Sequence, residues 1–177
     1  MNLKIRDICI IALFTAVIAA LSQVSIALPL GVPLSLQTFA VMLTAIILGA
    51  KKSVIAALVY LTLGLAGAPV FVNFGGGFHR IIGPWGGYLM SYPAVALVIG
   101  LASNTRKKAA LILALTLGAF INLSSGTLWF AFVTEVNLTQ AFAAAFAPFI
   151  PAEAVKIFLA FSIGVPARRL LKKNYIG

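Results

Sequence analysis

Six long apolar segments follow one another along this sequence, separated by short breaks that contain charged residues, glycine or proline. A helix that crosses the ~30 Å hydrocarbon core of a bilayer needs about 20 mostly apolar residues. A helix also satisfies its own backbone polar groups, which lipid cannot do. The pattern therefore predicts an all-α membrane protein with transmembrane helices at about 7–28, 34–50, 53–72, 84–103, 108–133 and 149–170, in a single domain over residues 1–177.

The composition supports a membrane protein rather than a soluble one. Hydrophobic residues make up 62% of the 177 residues and charged residues 9%, whereas soluble domains carry about 25% charged residues. A net charge of +10 can indicate nucleic-acid binding. Here the basic residues form short clusters between apolar segments, so we expect the lipid bilayer as partner and no nucleic acid.

The basic clusters also predict the orientation, because cytoplasmic loops are enriched in Lys and Arg. Only Arg80 falls in an opposite connection, and Lys156 falls inside a predicted helix. The remaining eleven lie on one side: Lys4, Arg6, Lys51, Lys52, Arg106, Lys107, Lys108, Arg168, Arg169, Lys172 and Lys173. We therefore predict six spans with both termini in the cytoplasm.

The first apolar segment follows basic residues, as the apolar part of a signal peptide would. Its length and the lack of a clear cleavage site favour a transmembrane helix that is not cleaved off.

Glu153 and Lys156 are the most informative polar residues. A charge inside a membrane helix is costly and indicates a function. Pro151 suits the first turn of a helix, Glu153 lies in that turn, and Lys156 follows on the same face. Lys156 precedes Arg168 by 12 residues, about 18 Å of helix, which places it in the outer half. The pair is either a pocket that offers an acceptor and a donor to a ligand, or an ion pair that neutralises itself near the surface.

Other polar and aromatic residues fall near the same outer side. Aromatic residues there are often interface anchors, so we treat these as secondary candidates for ligand binding: Gln37, Asn73, Arg80, Trp85, Tyr88 and Asn122, with Trp129 beside them. His79, the single histidine, has no acidic, Cys or His neighbour with which to bind a metal or act as a base. We expect no metal and no cofactor.

The outer connections combine apolar residues with glycine and proline. The first contains Pro29, Gly31 and Pro33, which favour a stiff extended loop, and residues 134–148 are expected to include a short interfacial helix. Such connections suit a lid over a pocket, and the alternative is a set of loops that lie in the interface.

Motifs of the common enzymes are missing from the sequence. Gly49-Ala-Lys-Lys-Ser53 lacks the upstream glycine of a phosphate-binding loop, and no His-Glu-x-x-His zinc motif occurs. The three acidic residues, Asp7, Glu135 and Glu153, leave little for a proton relay. We predict a protein that is not an enzyme and that needs another subunit to supply energy if it moves a solute uphill.

Four parts of the sequence form a recognisable set: Gly31–Ala40, Gly64–Phe71, Gly83–Tyr88, and the Pro-x-acidic-x-x-Lys pattern of Pro151, Glu153 and Lys156. Together they resemble the BioY family, the biotin-capturing substrate (S) component of energy-coupling-factor (ECF) transporters. The chain departs from the family pattern at two positions. Glu153 stands where aspartate is more usual, and Trp85 stands where threonine is more usual.

The resemblance implies an S-component bundle in a prokaryotic-type cell membrane that captures biotin from outside and associates with a transmembrane coupling subunit and two ATPase subunits. It implies that Glu153 and Lys156 contact the vitamin, and the N–H donors and carbonyl of the ureido ring suit them. For the valerate carboxylate, Arg80 and the backbone amides of Gly75–Gly77 are alternatives. An S component for another vitamin and a small intramembrane enzyme are the alternative functions.

The first predicted helix carries small residues at regular spacing. Ala12, Ala16 and Ala20 lie on one face, where small residues allow another helix to approach closely, and the resemblance implies that this face docks the coupling subunit. We expect Cys9, in the same segment, to be a small buried apolar residue.

Overall fold

The computed structural model of the protein describes residues 4–26, 34–105 and 107–171, and most of them are helical. Eight helices are described: α1 (Ile5–Ser22), α2 (Gln37–Leu48), α3 (Ala50–Leu65), α4 (His79–Ile82), α5 (Gly86–Ala102), α6 (Lys108–Thr134), α7 (Leu138–Ala145) and α8 (Ile150–Leu171). Two short strands, β1 (Ser25–Ile26) and β2 (Leu34–Ser35), pair antiparallel between α1 and α2. Single 3₁₀ turns cover Val72–Phe74 and Ala147–Phe149.

Helix α2 is the centre of the bundle. It packs against α1, α3, α5, α6 and α8, and eleven of its twelve side chains are buried. A helix that is apolar on all sides is stable only when other elements surround it. The α2 sequence, from Gln37 to Leu48, is apolar or small on every face except at its N-terminal end. The side chains of α2 that can make polar contacts are therefore concentrated at this end.

A tight corner joins α2 to α3. Gly49 has a φ of +76°, a conformation that glycine adopts without steric cost. Gly100 of α5 lies directly against this corner, since a Cβ atom there would be 2.4 Å from Cα of Ala50. The two glycines let α3 fold back along α5.

Every predicted span contains a helix, but the ends differ. The predicted spans 7–28, 34–50 and 53–72 were too long, because α1 ends at Ser22 and α3 ends at Leu65, and β2 precedes α2. The connections there are apolar, so hydropathy does not separate them from the helices. The short helix expected within 134–148 is present as α7, and its place at the membrane interface stays a prediction. The predicted loop at Pro29, Gly31 and Pro33 lies outside the described residues, as do Arg106, Lys172 and Lys173.

The bundle has the apolar exterior of a multi-pass membrane protein. Within the described residues, Ile5–Ser22, Lys108–Thr134 and the joined segment Leu138–Leu171 are each long and apolar enough to cross a bilayer. Large apolar side chains cover the outside, among them Leu113, Phe132 and Phe158, each more than 60% exposed. Soluble proteins rarely expose so much contiguous apolar surface, so lipid is the solvent that this surface requires.

Helix α1 buries one side and exposes the other. Ile11, Phe14 and Ile18 are among its buried residues, whereas Ala12, Ala16 and Ala20 are all exposed. Cys9 is exposed as well, so the prediction that it is buried was wrong. Its small apolar side chain needs no protein around it, because the outer surface of a membrane bundle is itself apolar.

Candidate functional site

A cavity opens at the end of the bundle where α2 and α8 begin. The residues that line it lie in or directly before β2, α2, α4, α5, α6, α8 and the two 3₁₀ turns: Ser35, Gln37, Thr38, Phe71, Val72, Asn73, Arg80, Trp85, Tyr88, Leu89, Tyr92, Asn122, Leu123, Phe149, Glu153 and Lys156.

All eight predicted ligand-binding residues line this cavity. They are Gln37, Asn73, Arg80, Trp85, Tyr88, Asn122, Glu153 and Lys156, and they come from five separate parts of the sequence. Their contact with a ligand stays a prediction, but the fold brings them to one place.

Glu153 and Lys156 form a buried ion pair in the first two turns of α8. The Lys156 ammonium donates to Oε1 of Glu153 at 2.7 Å, and the two residues are only 5% and 4% exposed, respectively. Oε2 of Glu153 is buried and has no hydrogen-bond partner within the described residues. The pair is bonded to itself, as the self-neutralising alternative requires. It nevertheless lies in a cavity wall, and one carboxylate oxygen of Glu153 remains without a partner there. In an ion pair at the protein surface, water would bind that oxygen.

Asn122 of α6 joins three helices at the cavity wall. Its Nδ2 donates to the Tyr88 carbonyl at 3.0 Å and to Oγ of Ser91 at 2.7 Å, and its Oδ1 accepts from Oγ1 of Thr38 at 3.5 Å. Both donors and one lone pair of the amide are therefore used inside the protein. Asn122 mainly fixes α6 against α5 and α2.

Gln37, the first residue of α2, has a free acceptor beside the cavity. Its Nε2 donates to the hydroxyl of Tyr60, which in turn donates to the Val70 carbonyl at 3.1 Å. The carbonyl oxygen of the Gln37 side chain has no partner among the described residues. This relay also ties the loop after α3 to the N-terminal end of α2.

The side chain of Gln23 holds the loop that carries Phe71 and Asn73. Its Nε2 donates to the carbonyls of Val70 at 3.3 Å and Phe71 at 3.1 Å, and its Oε1 accepts from the backbone N–H of Phe74 at 2.8 Å. The loop is therefore held in place over the cavity by an amide just beyond α1.

Arg80 of α4 brings a second cation to the cavity. Its guanidinium lies against Gly75, where a Cβ atom would be only 2.8 Å from Nε. Neither ion pair within the described residues involves Arg80. A glycine at position 75 thus makes room for an unneutralised guanidinium at the cavity rim.

Aromatic rings from the start of α5, from α6 and from the 3₁₀ turn before α8 pack together beside the cavity. Trp85 stacks on Phe130 with ring centroids 5.8 Å apart, and Tyr88 lies 6.5 Å from Phe149 and donates its hydroxyl to the Ala145 carbonyl. Trp129 does not line the cavity. Its indole N–H donates to the Gly83 carbonyl at 2.9 Å, so it stabilises the turn before α5.

Half of the lining residues were not predicted from the sequence: Ser35, Thr38, Phe71, Val72, Leu89, Tyr92, Leu123 and Phe149. Tyr92 could have been found, because it follows Tyr88 by one helical turn and so shares its face. The apolar residues could not, since their side chains look like core residues in any sequence.

The arrangement suits a ligand with an apolar body and polar groups at both ends. Glu153 and Gln37 offer acceptors, Lys156 and Arg80 offer charged donors, and rings and aliphatic side chains fill the wall between. Within the described ranges, no three His, Cys, Asp or Glu side chains cluster as metal ligands would. The cavity is therefore equipped to bind a small molecule by hydrogen bonds and apolar contact.

Comparison with known proteins gives a consistent result. The model of the BioY family matches residues 1–173. The chain is 36% identical over 173 residues to the biotin transporter BioY2 of Lactococcus lactis, covering 96% of this chain and 94% of the relative. It is 35% identical over 167 residues to the biotin transporter BioY of Thermotoga maritima, with 93% and 97% covered. A crystal structure of the S-component for biotin from an ECF-type ABC transporter superposes with a TM-score of 0.83 at 27% identity, covering 95% of this chain and 92% of that one.

Proposed function

This chain belongs to the BioY family, and from that premise we propose that it is the biotin-binding S component of an ECF-type ABC transporter. The observation that carries the proposal is the buried Glu153–Lys156 pair, with one carboxylate oxygen that has no partner within the described residues, in the wall of the cavity. The relatives are named as transporters, which sets the intramembrane-enzyme alternative aside.

The ureido ring of biotin is proposed to bind Glu153 and Lys156. A ureido N–H would supply the partner that Oε2 of Glu153 lacks, and the Lys156 ammonium can donate to the ureido oxygen. An unmet buried polar group costs about 1–3 kcal/mol, and more when it is charged. A ligand that donates a hydrogen bond to this oxygen therefore gains affinity, because the acceptor is already in place before the ligand binds.

Arg80 is the better of the two candidates for the valerate carboxylate. The N–H of Gly75 already donates to the Phe71 carbonyl at 3.1 Å, and that of Gly77 donates to the Gly64 carbonyl at 2.6 Å. Two of the three backbone amides in the glycine run are thus occupied. The guanidinium of Arg80 has no carboxylate partner within the described residues and its planar fork matches a carboxylate.

We further propose six spans with both termini on the cytoplasmic side of the cell membrane. Helix α2 has 12 residues, so it covers about 18 Å of the ~30 Å core. Non-helical backbone is tolerated at that depth where it lines a cavity, and Ser35 and the 3₁₀ turn at Val72–Phe74 do so. The cavity is proposed to occupy the outer part of the membrane, where α2 is too short to reach.

The energising partners are proposed to be a transmembrane coupling subunit and two ATPase subunits. The exposed face of Ala12, Ala16 and Ala20 supports docking of a helix on α1, since small side chains permit close approach.

Biotin binding to the purified protein tests the proposal. Isothermal titration should show tight binding of biotin, and neither riboflavin nor thiamine should compete. Glu153→Ala and Lys156→Ala should each lose at least tenfold in affinity, whereas Glu135→Ala, at an exposed glutamate outside the cavity lining, should bind like the wild type. Competition by riboflavin or thiamine would assign another vitamin. Unchanged affinity in both cavity variants would overturn the site.

A further inference from the structure

A second cavity lies at the opposite end of the bundle from the proposed biotin site. It is enclosed by the end of α2, the connection between α5 and α6, the start of α6 and the end of α8. None of its lining residues belongs to the first cavity, so a ligand here would not compete with biotin for space.

The charged residues that line this cavity are all basic. Four of the 13 basic residues of the chain line it, namely Lys107, Lys108, Arg168 and Arg169, and none of the three acidic residues does. The two ion pairs within the described residues are both elsewhere. The cavity therefore attracts an anion, and Arg and Lys are the residues that bind phosphate groups.

The lining changes from basic to apolar with depth. On α6, Leu111 follows Lys107 and Lys108 by one turn, and on α8, Val165 and Phe161 precede Arg168 by about one and two turns on the same face. At 1.5 Å per residue, the apolar side chains lie roughly 5–10 Å deeper than the cations. A free phosphate ion needs no such wall, whereas a phospholipid has its phosphate above its acyl chains.

Arg168 keeps this cavity in shape. Its Nη1 donates to the carbonyl of Ile46, and its Nη2 donates to Oδ1 of Asn104 at 2.7 Å. The Ile46 carbonyl is one of the last in α2, which have no partner within the helix. Arg168 thus joins α8, α2 and the connection after α5 through neutral acceptors, and its charge is not cancelled.

We propose that this cavity binds the phosphate headgroup and upper acyl chain of an anionic phospholipid. Basic pockets between transmembrane helices on the cytoplasmic side are suited to such headgroups. The inference goes beyond the proposed biotin function and uses the proposed orientation only to choose the leaflet, which is the cytoplasmic one.

Native mass spectrometry of the purified protein with phosphatidylglycerol or phosphatidylcholine tests the proposal. The wild type should retain phosphatidylglycerol in preference to phosphatidylcholine. The triple variant Lys107→Gln/Lys108→Gln/Arg169→Gln should retain at least tenfold less phosphatidylglycerol, and Arg169→Gln alone should lose part of it. The matched control Lys4→Gln/Arg6→Gln/Lys51→Gln removes the same charge from the same proposed side outside the cavity and should behave as the wild type.

Three results would overturn the proposal. Equal losses in the cavity variant and the control would show general attraction to a basic surface. Undiminished retention of phosphatidylglycerol in the cavity variants would show that these cations do not bind the lipid. Displacement of phosphatidylglycerol by inorganic phosphate would show that the apolar wall contributes nothing. Biotin titration in detergent is the folding check for every variant, and because the cavity variant should bind biotin normally, this proposal and the biotin function fail separately.

Discussion

Lys156 lies one turn below Glu153 on α8, and its ammonium contacts one carboxylate oxygen at 2.7 Å while the other oxygen has no partner within the described residues. Desolvation makes such a pair costly, and its net contribution to stability is often close to zero or negative. The stability of the bundle therefore does not account for the pair, and we propose that ligand binding does.

Replacing both members of this pair should separate stability from binding. Lys156→Met or Glu153→Leu alone leaves one buried charge uncompensated, which costs about 3–5 kcal/mol, so each should unfold at a lower temperature than the wild type. The double variant should recover most of that loss and still fail to bind biotin. Thermal unfolding in detergent and biotin titration measure the two effects, and a double variant that binds biotin normally would refute the assigned role.

Arg80 should distinguish the acid form of biotin from its methyl ester. Hydrogen bonds to charged groups contribute about 1.5–3 kcal/mol, so Arg80→Gln should weaken biotin binding roughly 10- to 100-fold and leave the affinity for the ester nearly unchanged. Lys51→Gln, an exposed cation at the start of α3, is the control and should bind both as the wild type does. If Arg80→Gln still prefers the acid to the same extent, another group binds the carboxylate.

Gly64 should matter for the site although it does not line it. A Cβ atom there would lie 2.0 Å from Cζ of Phe71, and Phe71 lines the cavity and packs edge-on against Tyr60 with centroids 5.4 Å apart. Gly64→Ala must displace this ring, and overpacking costs about 1–3 kcal/mol, so unfolding temperature and biotin affinity should both fall.

Gly118→Ala is the control for this helix-interior substitution. Its added methyl would meet the end of the Ile99 side chain, Cδ1, at 2.9 Å, which can move, and neither residue lines the cavity. Its biotin affinity should match the wild type, and equal effects of the two alanine variants would contradict the special position of Phe71.

Cysteine labelling should test the six-span topology. In a Cys9→Ser background, Thr139→Cys at the start of α7 should react with a membrane-impermeant maleimide in intact cells. Thr105→Cys, between α5 and α6, should react only after the membrane is permeabilised. Both positions are exposed in the protein, so a reversed pattern would invert the orientation. Reaction of both in intact cells would contradict the single span, α6, that this topology places between them.

The sequence predicts some helix ends well and others poorly, for a physical reason. The start of α6 and the end of α8 are marked by charges and agree with the prediction to within a residue or two. The ends of α1 and α3 do not, because the residues that follow each of these helices are mostly apolar. Hydropathy measures the solvent that a segment prefers, and it cannot tell whether the backbone is helical.

The residues of the candidate site also divide into those that the sequence predicts and those that it does not. Glu153, Lys156 and Arg80 could be predicted because charges are rare in this chain and costly in a membrane. Phe71 and Leu89 could not, because a ring or aliphatic side chain that faces a cavity has the same preferences as one that faces the core. The sequence does not show where the cavity lies, because its position depends on where α2 begins.

Cys9 gives this protein a natural attachment point. It is the single cysteine of the chain, it is exposed, and it lies three residues before Ala12 and seven before Ala16, on the same side of α1. A fluorophore attached there would stand beside the proposed docking face without any engineered substitution. Quenching or a spectral shift on adding a coupling subunit would then report assembly in real time, from a residue that the sequence alone would place in the core.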